Sequence, residues 1–306
     1  TMETGFKNFD EILGGGLRDG RLYALGAISS LGKTTFALNI ADNVAKAGRD
    51  VLIFSLEMSR MEWHMKSLSR ETYRIANEKG LSAKEHAVPA MNLLTGKRKL
   101  SEEQSDMLKT ATEQYTKTTS ERIYISEGID NVGYKEIRDT IKKFMRVNTN
   151  SRPLVIIDYL QLMSSPNPNS RLLDKQIVDK NVLELKRVTR DFNLPIIVIS
   201  SFNRDNYTTS ASFQAFKESG AIEYSADVVI ALELDVDVPK GNKDRKDTEE
   251  AINEAKNKNP REVKLVILKN RFYKAWTTTS FNYYPAFDYF KEDEGKNKEE
   301  DEQKKQ

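Results

Sequence analysis

A short loop at positions 29–35 sets the tightest limit on how this chain can fold. The loop reads Ser29-Ser30-Leu31-Gly32-Lys33-Thr34-Thr35 and lies between the apolar run 22–25 and the helical pattern 36–41. A strand, a tight loop ending in Gly-Lys-Thr and a helix form a cradle for phosphate groups, because backbone N–H groups and the helix N-terminus face the phosphates. In such a cradle Lys33 reaches the β- and γ-phosphates, and the hydroxyl of Thr34 binds Mg²⁺. The sequence therefore predicts that residues 29–35 bind ATP or GTP together with Mg²⁺.

One position departs from the general consensus for this type of loop. The consensus places a glycine five residues before the glycine of Gly-Lys-Thr, and this chain has Ala27 there. Taken alone, the departure leaves open that Gly-Lys-Thr occurs by chance at the start of an ordinary helix. The motifs described below favour the phosphate loop.

Composition excludes several classes of protein. The net charge of +2 gives no overall field for nucleic acid, so any such contact must come from a local patch. The chain has no cysteine, which excludes a disulfide framework and a thiolate zinc site. No apolar run approaches the ~20 residues of a membrane span. We therefore expect a soluble cytoplasmic protein with no membrane contact.

The pattern of apolar runs predicts the fold class. Continuous apolar runs, typical of parallel strands covered on both faces, lie at 51–56, 154–157, 196–199 and 227–232. Helical patterns separate them, which predicts an α/β fold with a mostly parallel, twisted sheet and helices on both faces. We expect one domain over 1–290, with a charged, solvated insertion at 235–262 in which residues 248–256 could form a helical turn or two. The charged segment 291–306 is expected to be a disordered tail.

Two carboxylates follow strands of this predicted sheet. Asp158 ends the run 154–157, and strand ends of a parallel sheet converge on the crevice beside the phosphate loop, so Asp158 is placed to hold Mg²⁺. The alternative is an aspartate that caps the next loop. Glu57 follows the run 51–56 and is placed to orient and deprotonate the attacking water. The alternative for Glu57 is a favourable charge at a helix N-terminus.

Three further segments carry a resemblance to a known family. They are Phe54-Ser55-Leu56-Glu57-Met58-Ser59, Ile156-Ile157-Asp158-Tyr159-Leu160-Gln161-Leu162 and Glu218-Ser219-Gly220-Ala221-Ile222-Glu223, the last followed by Ala226-Asp227. Their order and spacing, from Thr4 to Arg271, resemble the C-terminal ATPase domain of DnaB-type replicative helicases. That family also tolerates alanine at the position of Ala27.

The resemblance implies a fold, an activity and partners. It implies a RecA-like P-loop core that assembles as a homohexameric ring, hydrolyses ATP between subunits and translocates 5′ to 3′ on single-stranded DNA during replication. It also implies primase or a helicase loader as protein partners. Within the site, the resemblance matches Lys33 and Thr34 to the phosphate and Mg²⁺ contacts, Glu57 to the catalytic base and Asp158 to the Mg²⁺ carboxylate.

Two more groups of residues are assigned by the same resemblance. Lys269 and Arg271 match basic residues that reach the γ-phosphate of the neighbouring subunit. We call this pair the finger, and a finger supplied by a neighbour makes hydrolysis depend on assembly. The alternative is a pair of solvated charges at a strand end. Lys217, Glu218 and Gly220 match the central-channel loop that grips the DNA backbone. The alternative there is an ordinary polar turn.

Three positions differ from the family pattern, as expected for a divergent relative such as a phage or mobile-element protein. Ser201 stands where the family has a glutamine that senses the γ-phosphate, and serine is too short to span the same distance. Lys66 replaces an arginine, with loss of bidentate phosphate contact, and Phe272 replaces a glycine. Ser201 keeps a second hypothesis open, an ATP-gated DNA-binding assembly factor of the recombinase or loader type that does not unwind DNA.

Overall fold

A computed structural model of the chain describes residues 1–28, 30–128, 132–165, 173–202, 212–213, 216, 219–236 and 245–297. Within these residues the strands form one sheet of nine strands. The strands are β1 (Leu22–Ala27), β2 (Val51–Ser55), β3 (Ile123–Glu127), β4 (Leu154–Asp158), β5 (Ile196–Ser201), β6 (Val228–Leu234), β7 (Arg261–Asn270), β8 (Thr277–Tyr284) and β9 (Tyr289–Glu292). Their order across the sheet is β3-β2-β4-β5-β1-β6-β7-β8-β9.

The helices connect these strands. They are α1 (Lys7–Leu13), α2 (Lys33–Lys46), α3 (Arg60–Glu78), α4 (Ala83–His86), α5 (Ala90–Thr95), α6 (Glu102–Thr118), α7 (Tyr134–Val147), α8 (Asp174–Phe192), α9 (Ser219–Ser225) and α10 (Arg245–Asn257). In the part of the chain that the structure describes, no helix combines the length and the apolar character that a membrane crossing requires.

The sheet has a parallel part and an antiparallel part. Strands β1 to β6 pair in parallel, and β1 lies between β5 and β6 at the centre. Every residue of β1, β2 and β4 is buried, which requires both faces of the sheet to be covered. The prediction of an α/β fold with a mostly parallel sheet is therefore confirmed. Strands β7 to β9 add an antiparallel meander beside β6, which the sequence analysis did not anticipate.

An aromatic cluster attaches this meander to the helix that follows the phosphate loop. Phe36 of α2 stacks on Phe6, with ring centroids 5.4 Å apart, and meets Phe281 and Phe290 edge-on at 5.4 and 5.2 Å. All four rings are buried. Aromatic pairs of this kind stabilise the fold beyond the burial of their apolar surface, so β8 and β9 help to hold α2 in place.

The charged segments near the C-terminus are more ordered than their composition predicts. Of the insertion predicted at 235–262, residues 245–257 form α10, which contains the segment 248–256 considered as a helix above, and β7 begins at Arg261. The tail expected to be disordered from 291 is ordered as far as 297, since β9 runs to Glu292 and residues 294–297 form a helical turn. Lys296 donates hydrogen bonds to Asp235 at 2.8 Å and Glu262 at 2.5 Å. Composition predicts disorder here, because composition alone does not show that the Lys296 ammonium bonds to the carboxylates of Asp235 and Glu262.

Candidate functional site

The phosphate loop follows β1 directly and ends at Gly32. Gly32 has φ of 90°, a left-handed conformation that favours glycine, and it is the N-cap of α2. A Cβ at this position would lie 3.0 Å from the ring of Tyr283 and 3.1 Å from that of Phe290. Leu31 is fully buried and anchors the loop. The glycine therefore lets the loop turn tightly over the meander and leaves the N-terminus of α2 facing the crevice.

The loop residues divide into two groups by the direction of their side chains. The Lys33 ammonium donates to the carbonyl of Ala27 at 3.5 Å, which places its charge over the loop. The Thr35 hydroxyl donates to Oδ1 of Asp288 at 2.7 Å, inside the protein. Because the Thr35 hydroxyl is bonded to Asp288, the backbone N–H of Thr35 is the group that can bind a phosphate. Ser30 has φ of 64°, and Ser29 lies outside the described residues.

Thr34 and Asp158 meet at the carboxyl edge of the sheet. The Thr34 hydroxyl donates to Oδ2 of Asp158 at 2.9 Å, and Asp158 is only 1% exposed. Burial raises the pKa of Asp158 to about 6; the hydrogen bond from Thr34 and the charge of Lys33 oppose the shift, and the charge of Glu57 adds to it. A hydroxyl and a carboxylate are ligands that Mg²⁺ accepts in nucleotide sites. The pair predicted to hold the metal is therefore close together.

Glu57 lies at the same edge, on the turn between β2 and α3. Ser55, two residues earlier, is the register partner of Asp158, and its hydroxyl accepts a hydrogen bond from Trp63 Nε1 at 2.7 Å. Ser59 caps α3 in a capping box with Glu62. Because Glu62 already supplies the carboxylate at the helix N-terminus, the alternative role considered for Glu57 belongs to Glu62. The Glu57 side chain is exposed to solvent beside Asp158.

A buried carboxylate that the sequence analysis missed supports the phosphate-loop helix. Asp288 is 3% exposed, and its Oδ1 accepts hydrogen bonds from Thr35 and, at 2.8 Å, from the Lys66 ammonium. Its backbone carbonyl accepts from Arg70 and from Asn39, each at 3.0 Å. Lys66 thus pairs with Asp288 where the family resemblance implied a phosphate contact. No motif marks Asp288, which lies 253 positions from Thr35.

The meander also brings a cation to the loop. Arg261, the first residue of β7, donates from Nη1 to the carbonyl of Ser30 at 3.0 Å. Its guanidinium lies 5.8 Å from the centre of the Tyr283 ring. Arg261 belongs to no sequence motif and lies 231 positions from Ser30, so no sequence pattern connects it with the phosphate loop.

Lys269 and Arg271 lie at the opposite edge of the sheet. Asn270 pairs with Val228, which pairs with Tyr23 near the start of β1, whereas the phosphate loop follows the end of β1. At ~3.3 Å per residue, the edges are ~13 Å apart along the strand from Tyr23 to Ala27. The chain therefore does not bring these two cations to its own phosphate loop.

Both cations are held by the C-terminal end of α9. The Lys269 ammonium donates to the carbonyl of Glu223, and Arg271 Nη2 donates to that of Tyr224 at 2.5 Å. Carbonyls at a helix end lack intrahelical partners and favour cations. Burial and the charge of Arg271 lower the pKa of Lys269. Lys269 and Arg271 are thus bonded to the protein, whereas the alternative interpretation describes a pair of solvated charges.

The residues assigned to DNA are only partly described. Lys217 and Glu218 lie outside the described residues. Gly220 lies in the first turn of α9, and a Cβ there would meet no atom within 4 Å. Ser201 ends β5 as the register partner of Ala27, next to the start of the phosphate loop. Beside it, Gln161 Nε2 donates to the Ser200 hydroxyl at 2.8 Å.

Known proteins resemble the chain in sequence. The family model of the DnaB-like helicase C-terminal domain matches residues 1–292. The replicative DNA helicase DnaB of Geobacillus stearothermophilus is 31% identical over 281 residues, which cover 89% of this chain and 56% of that protein. The replicative DNA helicase DnaC of Bacillus subtilis (strain 168) is 32% identical over 238 residues, covering 76% of this chain and 47% of that protein. The chain spans about half the length of the curated relatives it matches.

Solved structures share the fold. One solved ATPase domain superimposes with a TM-score of 0.76 at 22% identity, covering 94% of this chain and 90% of that one. A DnaB-like replicative helicase, whose structure was reported with its interactions with primase, gives a TM-score of 0.75 at 21% identity, over 94% of this chain and 61% of that one. Since the family model spans nearly the whole sequence, the chain belongs to the DnaB-like helicase C-terminal domain family.

Proposed function

We propose that this chain is the motor of a replicative DNA helicase, which hydrolyses ATP to translocate on single-stranded DNA. The observation that carries the proposal is the meeting of the Thr34 hydroxyl with the buried Asp158 carboxylate at the end of the phosphate loop. Family membership supports the same activity.

The nucleotide site fits ATP and Mg²⁺ on chemical grounds. Backbone N–H groups of residues 30–35 and the N-terminus of α2 offer donors to the phosphates, and Lys33 adds a positive charge. Thr34 and Asp158 would hold Mg²⁺, because both offer oxygen and Asp158 is a buried anion that a cation would stabilise. When bound, Mg²⁺ neutralises charge that develops on the phosphates. Arg261 extends the positive surface beyond Ser30.

Glu57 acts as the base in this proposal. Its exposed carboxylate lies at the edge where the phosphates end, so it can accept a proton from a water molecule that attacks the γ-phosphate. The Trp63–Ser55 hydrogen bond and the Ser59 cap fix the turn on both sides of Glu57. A fixed base orients the water, and positioning supplies much of the catalysis in phosphoryl transfer.

Lys269 and Arg271 act on the nucleotide of a neighbouring copy. A head-to-tail contact would set the amino edge of one sheet against the carboxyl edge of the next, and repeated contacts of this kind form a ring when the rotation between copies closes. We propose a homohexameric ring, as in the family. To reach the neighbour, the two cations must leave the carbonyls of α9. Helix α9 follows Lys217 and Glu218 in the chain, and its last carbonyls accept hydrogen bonds from Lys269 and Arg271. This short helix therefore connects the proposed DNA loop with the finger.

Further partners and location rest on family membership alone. We propose that Lys217, Glu218 and Gly220 contact the DNA backbone, that primase or a helicase loader binds the assembled protein, and that it works in the cytoplasm. Polarity of 5′ to 3′ belongs to the same proposal.

Strand displacement on a forked duplex tests the function. With ATP, the wild-type chain should release the labelled strand, and Lys33→Ala should not, because it removes the cation over the phosphate loop. Unchanged duplex together with DNA-stimulated ATP hydrolysis would favour the second candidate, an ATP-gated assembly factor without unwinding. Ser201, a short side chain beside the loop, is the observation that favours this candidate.

A further inference from the structure

A buried carboxylate lies beneath the finger at the amino edge of the sheet. Asp227, the residue directly before β6, is 1% exposed. Its backbone N–H donates to the carbonyl of Leu22 at 2.9 Å, and its Oδ2 accepts a hydrogen bond from the Leu22 N–H at 2.9 Å. Because Leu22 begins the central strand β1, the sheet fixes the position of this carboxylate.

Arg271 contacts Asp227 through both its backbone and its side chain. The backbone N–H of Arg271 donates to the carbonyl of Asp227 at 3.1 Å, and Nη1 lies 4.0 Å from Oδ1 of Asp227. Nη2 of the same guanidinium donates to the carbonyl of Tyr224. We name the Asp227 carboxylate and the carbonyls of Glu223 and Tyr224 the finger seat. All three groups favour a cation, so they hold the finger on its own chain.

Lys186 binds the same carboxylate from helix α8. Its ammonium donates to Oδ2 of Asp227, and its side chain is only 15% exposed. Arg271 is 45% exposed and faces the other oxygen, Oδ1. A partly exposed ion pair contributes little stability, whereas a buried carboxylate without a cation is costly. Because Lys186 neutralises Asp227, the finger can leave without stranding a buried charge.

The second cation of the finger belongs to the same group of charges. The Lys269 ammonium donates to the carbonyl of Glu223 in the finger seat. Burial and the charge of Arg271 lower the pKa of Lys269, the charge of Asp227 opposes this shift, and the charge of Lys186 adds to it. A change of charge at Asp227 or Lys186 therefore acts on both cations of the finger.

We propose that Asp227 is a positioning residue that holds the finger on its own chain, and that Lys186 sets how tightly the finger is held. This inference rests on the proposed function, in which the finger leaves these contacts to act on another copy. Without the Lys186 ammonium, the Asp227 carboxylate binds Arg271 more tightly. Without the carboxylate, the carbonyls of α9 alone hold the finger. The two residues of one ion pair thus act on the finger in opposite directions.

Chemical modification of arginine measures how tightly the finger is held. The monomeric chain is treated with phenylglyoxal, which reacts with accessible guanidinium groups, and peptide mapping by mass spectrometry gives the rate at Arg271. Arg138 is the internal reference, because it is 40% exposed and also faces an aspartate, Asp191, at 2.7 Å. Asp227→Asn should raise the Arg271 rate by about threefold or more, and Lys186→Met should lower it by a similar factor.

Three further variants separate the effect of charge from an effect on folding. Asp227→Asn keeps an acceptor for the Leu22 N–H, and Lys186→Arg keeps the cation, so Lys186→Arg should modify at the wild-type rate. The double variant Asp227→Asn/Lys186→Met leaves no buried charge and should modify as fast as Asp227→Asn. If Lys186→Met does not fold, the double variant takes its place, and a wild-type rate in the double variant would overturn the proposal.

The rate of ATP hydrolysis connects the finger seat with turnover. In protein that mass measurements show to be assembled, Asp227→Asn should hydrolyse ATP without DNA about threefold faster than the wild type, and Lys186→Met should be slower. Equal losses of turnover in both variants would assign the ion pair to folding and overturn the proposal. Full activity of assembled Arg271→Ala would reject the proposed function. Loss of that activity, with unchanged Arg271 modification in Asp227→Asn, would reject this inference alone.

Discussion

The Thr34 hydroxyl donates a hydrogen bond of 2.9 Å to Oδ2 of Asp158, although the two residues lie 124 positions apart. The bond joins the N-terminus of α2 to the end of β4, the two elements that a phosphate site of this type requires. The carboxylate is buried, and burial raises its pKa to about 6. The fold thus keeps an anion where solvation does not stabilise it, which suits a site that binds a cation.

Asp158→Asn is expected to stabilise the nucleotide-free chain while abolishing turnover. The pKa of Asp158 rises from 3.8 to about 6 on folding, so between these values the folded chain binds more protons than the unfolded chain. The wild type therefore loses stability as the pH rises through this window, and asparagine, which does not titrate, does not. The gain in free energy of unfolding should be about 1–3 kcal/mol above pH ~6 and vanish below pH ~4.

Urea unfolding across this pH range measures the difference. The experiment is done without nucleotide or Mg²⁺, since a bound ion would stabilise the wild type selectively. A variant less stable than the wild type at neutral pH would show that the carboxylate contributes to folding and would contradict this account of Asp158.

Glu57→Gln should bind ATP normally and lower turnover by about 10²-fold or more, because the amide keeps the shape of the side chain and cannot accept the proton. Glu62→Gln is a matched control that removes a nearby charge on the same segment. Glutamine preserves the capping box with Ser59, so activity should stay within about twofold of the wild type. The measurement is the steady-state rate of ATP hydrolysis by Glu57→Gln and Glu62→Gln with single-stranded DNA present. Comparable losses in both variants would assign the effect to charge and remove Glu57 from the catalytic role.

The site residues that could be predicted from the sequence share one property. Each lies at the end of a parallel strand or in the loop that follows it. Asp158 and Glu57 follow buried apolar runs, and parallel strand ends converge, so their proximity follows from pattern alone. Asp288 and Arg261 could not be found in this way. They come from the antiparallel meander, more than 200 positions from their partners in the phosphate loop, and no periodicity relates them to it.

The ordered end of the chain shows a second limit of sequence patterns. The segment from 291 reads as disordered because it is rich in charge, yet Lys296 bonds to Asp235 and Glu262. Disorder is predicted from composition on the assumption that charges remain in water. Here strand pairing of β9 with β8 brings opposite charges together, and that pairing is a property of the tertiary fold.

Asp288→Ala should destabilise the chain by about 3–5 kcal/mol, because it leaves the partly buried Lys66 ammonium without its carboxylate. Asp288→Asn should cost less, since asparagine tolerates the left-handed φ of 48° and keeps an acceptor for the Thr35 hydroxyl. The measurement is the free energy of unfolding in urea for both variants. Equal stabilities of Asp288→Ala and the wild type would show that this ion pair does not support the phosphate-loop helix.

The most direct test of hydrolysis between subunits is the ATPase rate of a mixture of Lys33→Ala and Arg271→Ala chains. Each variant alone should be inactive, and Arg271→Ala should still bind ATP, because Arg271 lies at the edge of the sheet opposite its own phosphate loop. In an equal mixture, about one interface in four pairs an intact phosphate loop with an intact finger, so activity should return in part. A mixture that stays inactive although mixed oligomers form, or loss of ATP binding by Arg271→Ala alone, would contradict the account.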